Sequence, residues 1–152
     1  MPRDLSTKAF ADIVRQAPLV SIDLILRDAQ DRVLLGRRVN PPAQGWWFVP
    51  GGRIRKDERL AEAITRLLKD EIGWTAPASE SFMGVYEHLY ADNFMGTRVF
   101  STHIVVLAYS MNLGTPLPEP PRHQHSEYRW HTIPELLAAP DVHRYTQAYF
   151  LT

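Results

Sequence analysis

One acidic residue of this sequence falls on the apolar face of a predicted helix. Residues 57–72 read DERLAEAITRLLKDEI, and the apolar residues recur there at helical spacing: Leu60, Ala63, Ile64, Leu67 and Leu68. With roughly 100° of rotation per residue, Glu71 falls near the middle of this stripe and Asp70 toward its edge. Because an ionised carboxylate is costly to bury without a positive partner, we expect a metal ion beside Glu71. The tight loop at residues 50–52 is expected to aim a backbone carbonyl at the same point.

Composition and charge exclude several function classes. The 152 residues fit one domain, spanning residues 1–152, and the balance of 17 basic and 17 acidic residues predicts no nucleic-acid partner and no membrane partner. The absence of cysteine excludes thiolate catalysis, disulfides and cysteine-based zinc sites. The N-terminus lacks the apolar core of a signal peptide, and no apolar run approaches the roughly 20 residues of a membrane span. A cytoplasmic location is therefore predicted.

The order of predicted elements is typical of a layered α+β fold. A short helix over residues 7–16 is followed by a hairpin of strands at 19–26 and 33–38. A short strand at 46–49 precedes the long helix, for which Asp57 is the predicted N-cap and Gly73 the left-handed residue after its end. Further predicted strands are at 82–90, 98–109 and 127–131, and helical segments at 134–139 and 145–151, after a Pro-rich loop at 113–121.

The residues around Glu71 have the spacing of a known motif. Gly52, Glu58, Arg66 and the run DEIGW at 70–74 resemble the Nudix box of the Nudix hydrolases. The order of the predicted strands also fits that family. The resemblance implies a Nudix-type α/β/α sandwich with a mixed β-sheet.

Two positions depart from the usual Nudix box. Leu67 stands where the box has its first glutamate, and Asp70 replaces another. Ordinary Nudix enzymes use the full carboxylate set to hold several divalent ions and to hydrolyse a pyrophosphate at phosphorus. The departures therefore imply a single well-held metal ion and remove a candidate general base from the helix.

This altered box resembles that of one subgroup, the GDP-mannose mannosyl hydrolases. Other stretches that resemble the subgroup are residues 17–21, 42–53, 92–94, 124–125, 128–130 and 148–151. In that subgroup water attacks the anomeric carbon of the sugar with inversion, and GDP leaves with its pyrophosphate intact. The resemblance implies hydrolysis of GDP-mannose, or of a similar GDP-sugar such as GDP-glucose, to GDP and the free sugar.

The subgroup resemblance implies one Mg²⁺ per subunit. The matching ligands are the Gly51 carbonyl, the Glu71 carboxylate and the Gln124 side-chain oxygen, and Mg²⁺ prefers such oxygen ligands. Arg38 and Arg53 match the arginines that stabilise the leaving group. Their planar guanidinium groups suit phosphate because each can bond two oxygens at once.

The same resemblance assigns the remaining site residues. His125 matches the general base, since an imidazole titrates near neutral pH. Asp23, in an otherwise apolar strand, is a candidate to bind sugar hydroxyls or to orient the base. Asp4, Leu5 and Phe10 match an N-terminal segment that binds the nucleotide. A homodimer is implied, in which this segment reaches the partner's site.

Several of these residues have structural alternatives. Asp23 is equally compatible with a polar position on a solvent-facing strand. Glu58 is expected to favour the positive end of the helix rather than to reach the metal through water, and Arg66 is expected to form a structural ion pair. Arg37 and Arg38 point to opposite sides of their strand, and Arg38 is predicted to be the functional one.

Three functions remain open from the sequence. The first is a GDP-sugar glycosyl hydrolase. The second is an ordinary Nudix pyrophosphohydrolase that releases GMP and a sugar phosphate, against which the leucine at position 67 argues. The third is a non-catalytic nucleotide-binding module, against which the joint presence of Glu71, Gln124 and His125 argues.

Overall fold

A seven-stranded mixed sheet organises the chain. A computed structural model describes residues 5–76, 79–114 and 125–151, and of His125 and Ser126 only the backbone. The strands are β1 (Leu19–Arg27), β2 (Val33–Arg38), β3 (Trp47–Phe48), β4 (Gly51–Arg53), β5 (Glu80–Tyr90), β6 (Thr102–Asn112) and β7 (His125–His131). Their order is β3-β2-β1-β6-β5, with β4 also paired to β1 and β7 to β2. Strands β1 and β6 run parallel and the other pairs are antiparallel.

One helix precedes the first strand, and the others lie between or after the strands. They are α1 (Thr7–Gln16), α2 (Leu60–Ile72), α3 (Ile133–Ala138) and α4 (Arg144–Gln147), followed by a 3-10 turn at Ala148–Phe150. The Ser6 hydroxyl caps α1 by accepting a hydrogen bond from the Ala9 N–H at 3.2 Å. None of the helices in the described part of the chain has the length and apolar character of a transmembrane span.

Strand β1 separates two apolar cores because successive side chains point to opposite faces. Ile22, Leu24 and Leu26 pack with the apolar face of α2. Ile25 points the other way, into a second core that contains Leu136 of α3 and Tyr149. Helices therefore cover both faces of the sheet, which confirms the predicted α/β/α sandwich.

The two ends of α2 can be compared with the N-cap and the C-terminal glycine predicted from the sequence. Gly73 has φ 70° and the Trp74 N–H donates to the Leu68 carbonyl at 3.0 Å, so the predicted C-terminal signal is confirmed. The prediction of Asp57 as N-cap is wrong. Asp57 has φ 67° in a turn that precedes the helix, and Arg59 is the N-cap. Leu60, placed on the apolar stripe, is 44% exposed because it begins the first turn beyond the sheet.

A buried ion pair joins the turn before α2 to the helix itself. Arg66 donates from Nε to Glu58 Oε2 at 2.7 Å and from Nη2 to Glu58 Oε1 at 3.0 Å. Arg66 Nη2 also donates to the Arg53 carbonyl, and the Arg55 N–H donates to Glu58 Oε1, both at 3.0 Å. Arg66 is thus a structural ion-pair partner, as predicted. Glu58 binds this arginine instead of the helix end, contrary to expectation.

The pair makes stability depend on pH. The Arg66 hydrogen bond lowers the pKa of Glu58 below its usual 4.5, and the Arg55 N–H adds to this against the effect of burial. A carboxylate whose pKa is lowered by folding stabilises the fold above its unfolded pKa. That stabilisation is lost as the pH falls from about 4.5 through the lowered folded value.

Replacing Glu58 with glutamine should destabilise the fold, because Arg66 keeps its charge in a buried position. We expect the free energy of unfolding at pH 7 to fall by on the order of 3 kcal/mol. Between pH 7 and pH 3 the variant should lose less further stability than the natural sequence does. Urea unfolding at the two pH values measures both effects. Glu87→Gln, at an exposed position of β5, is the control, and its free energy of unfolding should stay within about 0.5 kcal/mol of that of the natural sequence. Equal behaviour of the two variants would contradict the role given to Glu58.

Candidate active site

The last turn of α2 places a carboxyl group inside the protein. Glu71 is only 6% exposed, as the helical spacing predicted. Burial, and secondarily the neighbouring Asp70, raise the pKa of the Glu71 carboxyl to about 7, against the opposing effects of Arg38 and Arg66. The Tyr128 hydroxyl of β7 donates to the Glu71 backbone carbonyl at 2.9 Å. This bond holds the end of α2 against the sheet.

Two glycines allow β4 to pass close to both β1 and α2. Gly51 lies opposite Asp23 in the β1–β4 pair. A Cβ atom at Gly51 would collide with the Ile22 carbonyl oxygen and lie 2.6 Å from Asp23 Oδ1. A Cβ atom at Gly52 would lie 2.7 Å from Leu67 Cδ2 of α2. Glycine is required at Gly51, where a side chain would strike the backbone of β1, whereas a side chain at Gly52 would have to displace the Leu67 methyl group.

Six of the ten predicted site residues line one open cavity of about 730 Å³. Those that line it are Leu5, Phe10, Arg38, Gly51, Arg53 and Glu71. The backbone of His125 pairs with that of Arg38 at the β2–β7 edge. Asp4, Gln124 and the His125 side chain lie outside the described residues, so their assigned roles stay predictions.

Arginines give this cavity a strong positive character. Arg38, Arg53, Arg55 and Arg66 line it, together with the acidic Asp70 and Glu71. Guanidinium groups bind phosphate oxygens in a planar, paired geometry, so the lining suits a ligand with several phosphate oxygens.

Arg38 is fixed rather than freely extended. Its Nε donates to the Pro42 carbonyl at 3.0 Å. Burial lowers the pKa of the Arg38 guanidinium, and Tyr90, Asp23 and Glu71 counteract this. Arg37, its neighbour in the sequence, is exposed and lies 3.7 Å from Glu127. Of the two, Arg38 is therefore the arginine that lines the cavity, and its functional role stays a prediction.

Aromatic side chains form another wall of the cavity. The Arg53 guanidinium lies 5.1 Å from the ring centre of Phe10, and the Phe10 and Phe94 ring centres are 4.7 Å apart. Phe94 was not assigned a role from the sequence, although residues 92–94 carried part of the resemblance. The two ring planes are tilted by 53° to each other, and an aromatic face next to a cation can hold a planar heteroaromatic group by stacking.

A buried asparagine sets the position of Phe94. Asn93 is fully buried, and its Nδ2 donates to the Thr97 carbonyl, the Thr97 hydroxyl and the Phe100 carbonyl at 2.9–3.0 Å. Its Oδ1 accepts from the Met95 N–H at 2.9 Å. These bonds curl residues 92–100 into a compact loop. The strand predicted from residue 98 therefore begins only at Thr102.

A second, smaller cavity of about 130 Å³ adjoins the first and shares Arg38 and Gly51 with it. Asp23, His88 and Tyr90 also line it. Burial raises the pKa of the Asp23 carboxyl to about 6, against hydrogen bonding from Tyr149 and the charge of Arg38. Asp23 is thus a partly buried residue that lines this cavity, and its role stays a prediction.

Sequence reasoning missed His88 and Tyr90 as lining residues. Burial, and then the charge of His143, lower the pKa of His88 to about 4, so its imidazole is neutral near pH 7. Burial raises the pKa of the Tyr90 hydroxyl. A signal was available, because Tyr86, His88 and Tyr90 alternate along β5 and so share one face of the strand.

Comparison with known proteins identifies the family. The family model for the NUDIX domain matches residues 17–151. The chain belongs to the Nudix family. The low-salt glycan biosynthesis protein Agl8 of Haloferax volcanii is 38% identical over 136 residues, which are 90% of this chain and 85% of that protein. An ADP-ribose pyrophosphatase of Methanocaldococcus jannaschii is 36% identical over 69 residues, which are 45% of this chain and 40% of that protein.

Solved structures agree with this assignment at the level of the fold. A MutT protein from Methanosarcina mazei Go1 has a TM-score of 0.70 at 20% identity, with 89% of this chain and 92% of that chain covered. The Nudix domain of Shewanella oneidensis NrtR, solved with ADP ribose, has a TM-score of 0.67 at 22% identity and covers 97% of this chain and 90% of its own. These structures show the fold, and the family match over residues 17–151 supports a hydrolase of the Nudix type.

Nudix hydrolases generally use divalent metal ions, and the residues of this cavity fit one such ion. Glu71 supplies a buried carboxylate, and Gly51 brings backbone to the same cavity without a side chain. Hard cations such as Mg²⁺ take oxygen ligands of these kinds and usually retain some waters. Among the described residues, no group of three or more His, Asp or Glu side chains is arranged to hold a metal. Glu71 and the Gly51 backbone are thus the described groups that fit a divalent ion.

The contact between Gly52 and Leu67 can be tested by a double-mutant cycle. Gly52→Ala should cost about 1–3 kcal/mol of stability through overpacking, and Leu67→Ala about 2–5 kcal/mol through a cavity. The double variant should lose less stability than the sum of the two single losses, because the new methyl group at position 52 occupies part of the cavity left by Leu67→Ala. Urea unfolding of the four proteins measures the coupling. Additivity to within about 0.5 kcal/mol would show that these residues do not touch.

Proposed function

We propose that this Nudix hydrolase is a GDP-mannose mannosyl hydrolase, with GDP-glucose as a second possible substrate, which releases GDP and the free sugar with the help of Mg²⁺. The observation that carries the proposal is the burial of Leu67, which is 2% exposed and lies over Gly52. The usual Nudix box has a glutamate at that position, whereas here a core side chain occupies it.

The rest of α2 agrees with a reduced metal site. Asp70 keeps 46% of its side chain exposed and lies 4.0 Å from Arg66 Nη1. Glu71 is the one buried carboxylate of this helix, every residue of which is described. A single buried carboxylate can anchor one cation, and Asp70, the other carboxylate of α2 that lines the cavity, is half-exposed and lies beside Arg66. These features favour a reaction in which the pyrophosphate leaves intact.

The leaving group would be stabilised by the arginines of the larger cavity. Arg38 and Arg53 are placed to hold the diphosphate oxygens, with Arg38 kept in position by the Pro42 carbonyl. Mg²⁺, held by Glu71, the Gly51 carbonyl and Gln124, would supply Lewis-acid neutralisation of the charge that develops on the diphosphate. Preorganised positive charge of this kind is usually a large term in catalysis.

Water would attack from the sugar side with His125 as general base. His125 removes a proton from water while the water oxygen bonds to the anomeric carbon. The bond from that carbon to the phosphate oxygen breaks, and its electron pair leaves with GDP. The pairing of the His125 backbone with Arg38 supports this role because it brings β7 to the cavity edge. An imidazole is suited to it, since it is largely unprotonated near neutral pH.

The remaining subsites follow from the two cavities. Asp23 in the smaller cavity is the proposed acceptor for sugar hydroxyls, beside the arginine that binds the diphosphate. Asp4, Leu5 and Phe10 are the proposed base-binding segment, and the proximity of Phe94 to Phe10 supports a stacked base. We further propose one domain over residues 1–152 and a homodimer; the cytoplasmic location stays a prediction.

The comparisons offer support of a general kind. The Haloferax volcanii relative is named for glycan biosynthesis, a process that uses sugar nucleotides as donors. The Methanocaldococcus jannaschii relative is named as an ADP-ribose pyrophosphatase. Its reaction type is the competing function for this chain, in which GMP and a sugar phosphate are released.

Incubation with GDP-mannose and Mg²⁺ in ¹⁸O-labelled water tests the proposal directly. We expect unlabelled GDP and β-mannose that carries ¹⁸O, because water bonds to carbon with inversion. NMR identifies the anomer, and mass spectrometry locates the label. GMP with mannose 1-phosphate, labelled on a phosphate, would establish the ordinary Nudix reaction instead. Binding of GDP without turnover would favour a non-catalytic module.

Replacing His125 with glutamine tests the assignment of the base. We expect kcat to fall by roughly 10²- to 10⁴-fold with KM little changed, and the acidic limb of the pH–rate profile to disappear. Steady-state kinetics between pH 5 and pH 9 measures both. His103→Gln, on β6 and outside the lining of both cavities, is the matched control. An unaltered pH–rate profile in the His125 variant would refute the assignment.

A further inference from the structure

The C-terminal turn brings a tyrosine hydroxyl onto Asp23. Tyr149 lies in the 3-10 turn, is 6% exposed, and donates its hydroxyl proton to Asp23 Oδ2. Its hydroxyl oxygen also lies 3.4 Å from His88 Nε2. Tyr149 has a single hydroxyl proton, and it donates this proton to the carboxylate in a hydrogen bond. His88 can then bond to the Tyr149 oxygen only as a donor, so its favourable tautomer carries the proton on Nε2. A polar chain therefore runs from His88 through Tyr149 to Asp23.

The second oxygen of Asp23 is confined as well. Asp23 Oδ1 would lie 2.6 Å from a Cβ atom at Gly51, so it faces the glycine backbone of β4 at close range. Oδ2 is held by Tyr149 on the other side. With both oxygens constrained, the carboxylate has a defined orientation in the small cavity rather than a freely rotating one.

The tyrosine is itself held by a well-anchored segment. Its ring packs edge-on against Tyr86, with ring centres 4.7 Å apart. Four residues earlier, the Tyr145 hydroxyl donates to the Leu89 carbonyl at 2.9 Å and accepts from the Leu89 N–H at 3.0 Å. The Thr146 hydroxyl accepts from the Val49 N–H at 3.3 Å. Residues 144–150 are thus fastened to β5 and to the residue after β3.

We propose that Tyr149 is a positioning residue that orients the Asp23 carboxylate for hydrogen bonding to the sugar of the substrate. This inference rests on the proposed function, because it takes Asp23 as the sugar-binding group. Tyr149 does not touch the substrate. It acts through one hydrogen bond, and removing its hydroxyl leaves its ring packed in the core.

The consequence is a division between sugar and nucleotide recognition. The diphosphate-binding arginines and the Phe10–Phe94 wall lie on the larger cavity, whereas Tyr149 acts on a residue of the smaller one. Loss of the Tyr149 hydroxyl should therefore impair steps that involve the sugar and spare the binding of GDP. A purely structural role would affect both or neither.

The test compares Tyr149→Phe, Asp23→Asn and the double variant with Tyr145→Phe as the matched control. Tyr145 stacks on His88 with ring centres 4.3 Å apart, and its hydroxyl donates to the Leu89 carbonyl rather than to Asp23. Steady-state kinetics with GDP-mannose and Mg²⁺ gives kcat and KM, and calorimetry gives the Kd of GDP. Thermal unfolding checks that each variant is folded.

We expect Tyr149→Phe to lower kcat/KM for GDP-mannose by roughly 10- to 100-fold, as a misplaced binding group does, and to leave the Kd of GDP within about twofold. The double variant should be no worse than Asp23→Asn alone, because both changes remove the same function. Tyr145→Phe should keep kcat/KM within about twofold. Equal losses in Tyr149→Phe and Tyr145→Phe, or multiplied losses in the double variant, would overturn the proposal.

A spectroscopic measurement separates this inference from the proposed function. In protein labelled with ¹³C at the aspartate carboxyls, the Asp23 resonance is the one that Asp23→Asn removes. We expect Tyr149→Phe to shift it and Tyr145→Phe to leave it unmoved, whatever the substrate. An unmoved resonance in Tyr149→Phe would overturn the positioning role. A wild-type protein that fails to convert GDP-mannose to GDP and mannose would overturn the proposed function instead.

Discussion

The close passage of β4 between β1 and α2 is the constraint on which the rest of this site depends. Gly51 and Gly52 allow this passage, because Asp23 lies against the first and Leu67 against the second. This packing brings the buried Glu71 of α2 and the Asp23 of β1 to two adjoining cavities that share the glycine backbone.

Electrostatics explains why arginines accompany these buried acids. Burial raises the pKa of both carboxyl groups, to about 7 for Glu71 and about 6 for Asp23, so the anionic forms are disfavoured without nearby positive charge. Arg38 borders both cavities and favours both anions. A diphosphate would add further negative charge to the same space. Three more arginines on the larger cavity, and a divalent ion at Glu71, are the kinds of group that offset it.

Local sequence patterns predict the structural features that neighbouring residues determine. They do not predict the features that contacts between distant residues determine. The apolar spacing located α2 and placed Glu71 inside, and Gly73 marked the helix end, because these signals lie within a few residues. The N-cap was misplaced because a left-handed turn at Asp57 precedes the helix. The Tyr149 contacts with Asp23 and His88 join residues 126 and 61 positions apart, so no local pattern reveals them. The subgroup resemblance singled out Arg38 and Arg53, which both line the larger cavity, because it carries tertiary information that periodicity lacks.

The two faces of the sheet contribute different groups to the proposed reaction. Helix α2 covers one face and contributes Glu71 to the cavity with the arginines, while the opposite core contains Tyr149, which holds Asp23. Attack at phosphorus needs water activated on the helix side, where position 67 is now a core leucine. Attack at carbon needs a held sugar and a base near the sheet edge, where β7 pairs with Arg38. The core leucine on the helix side and the Asp23 carboxylate held by Tyr149 on the other side both agree with the proposed cleavage at carbon.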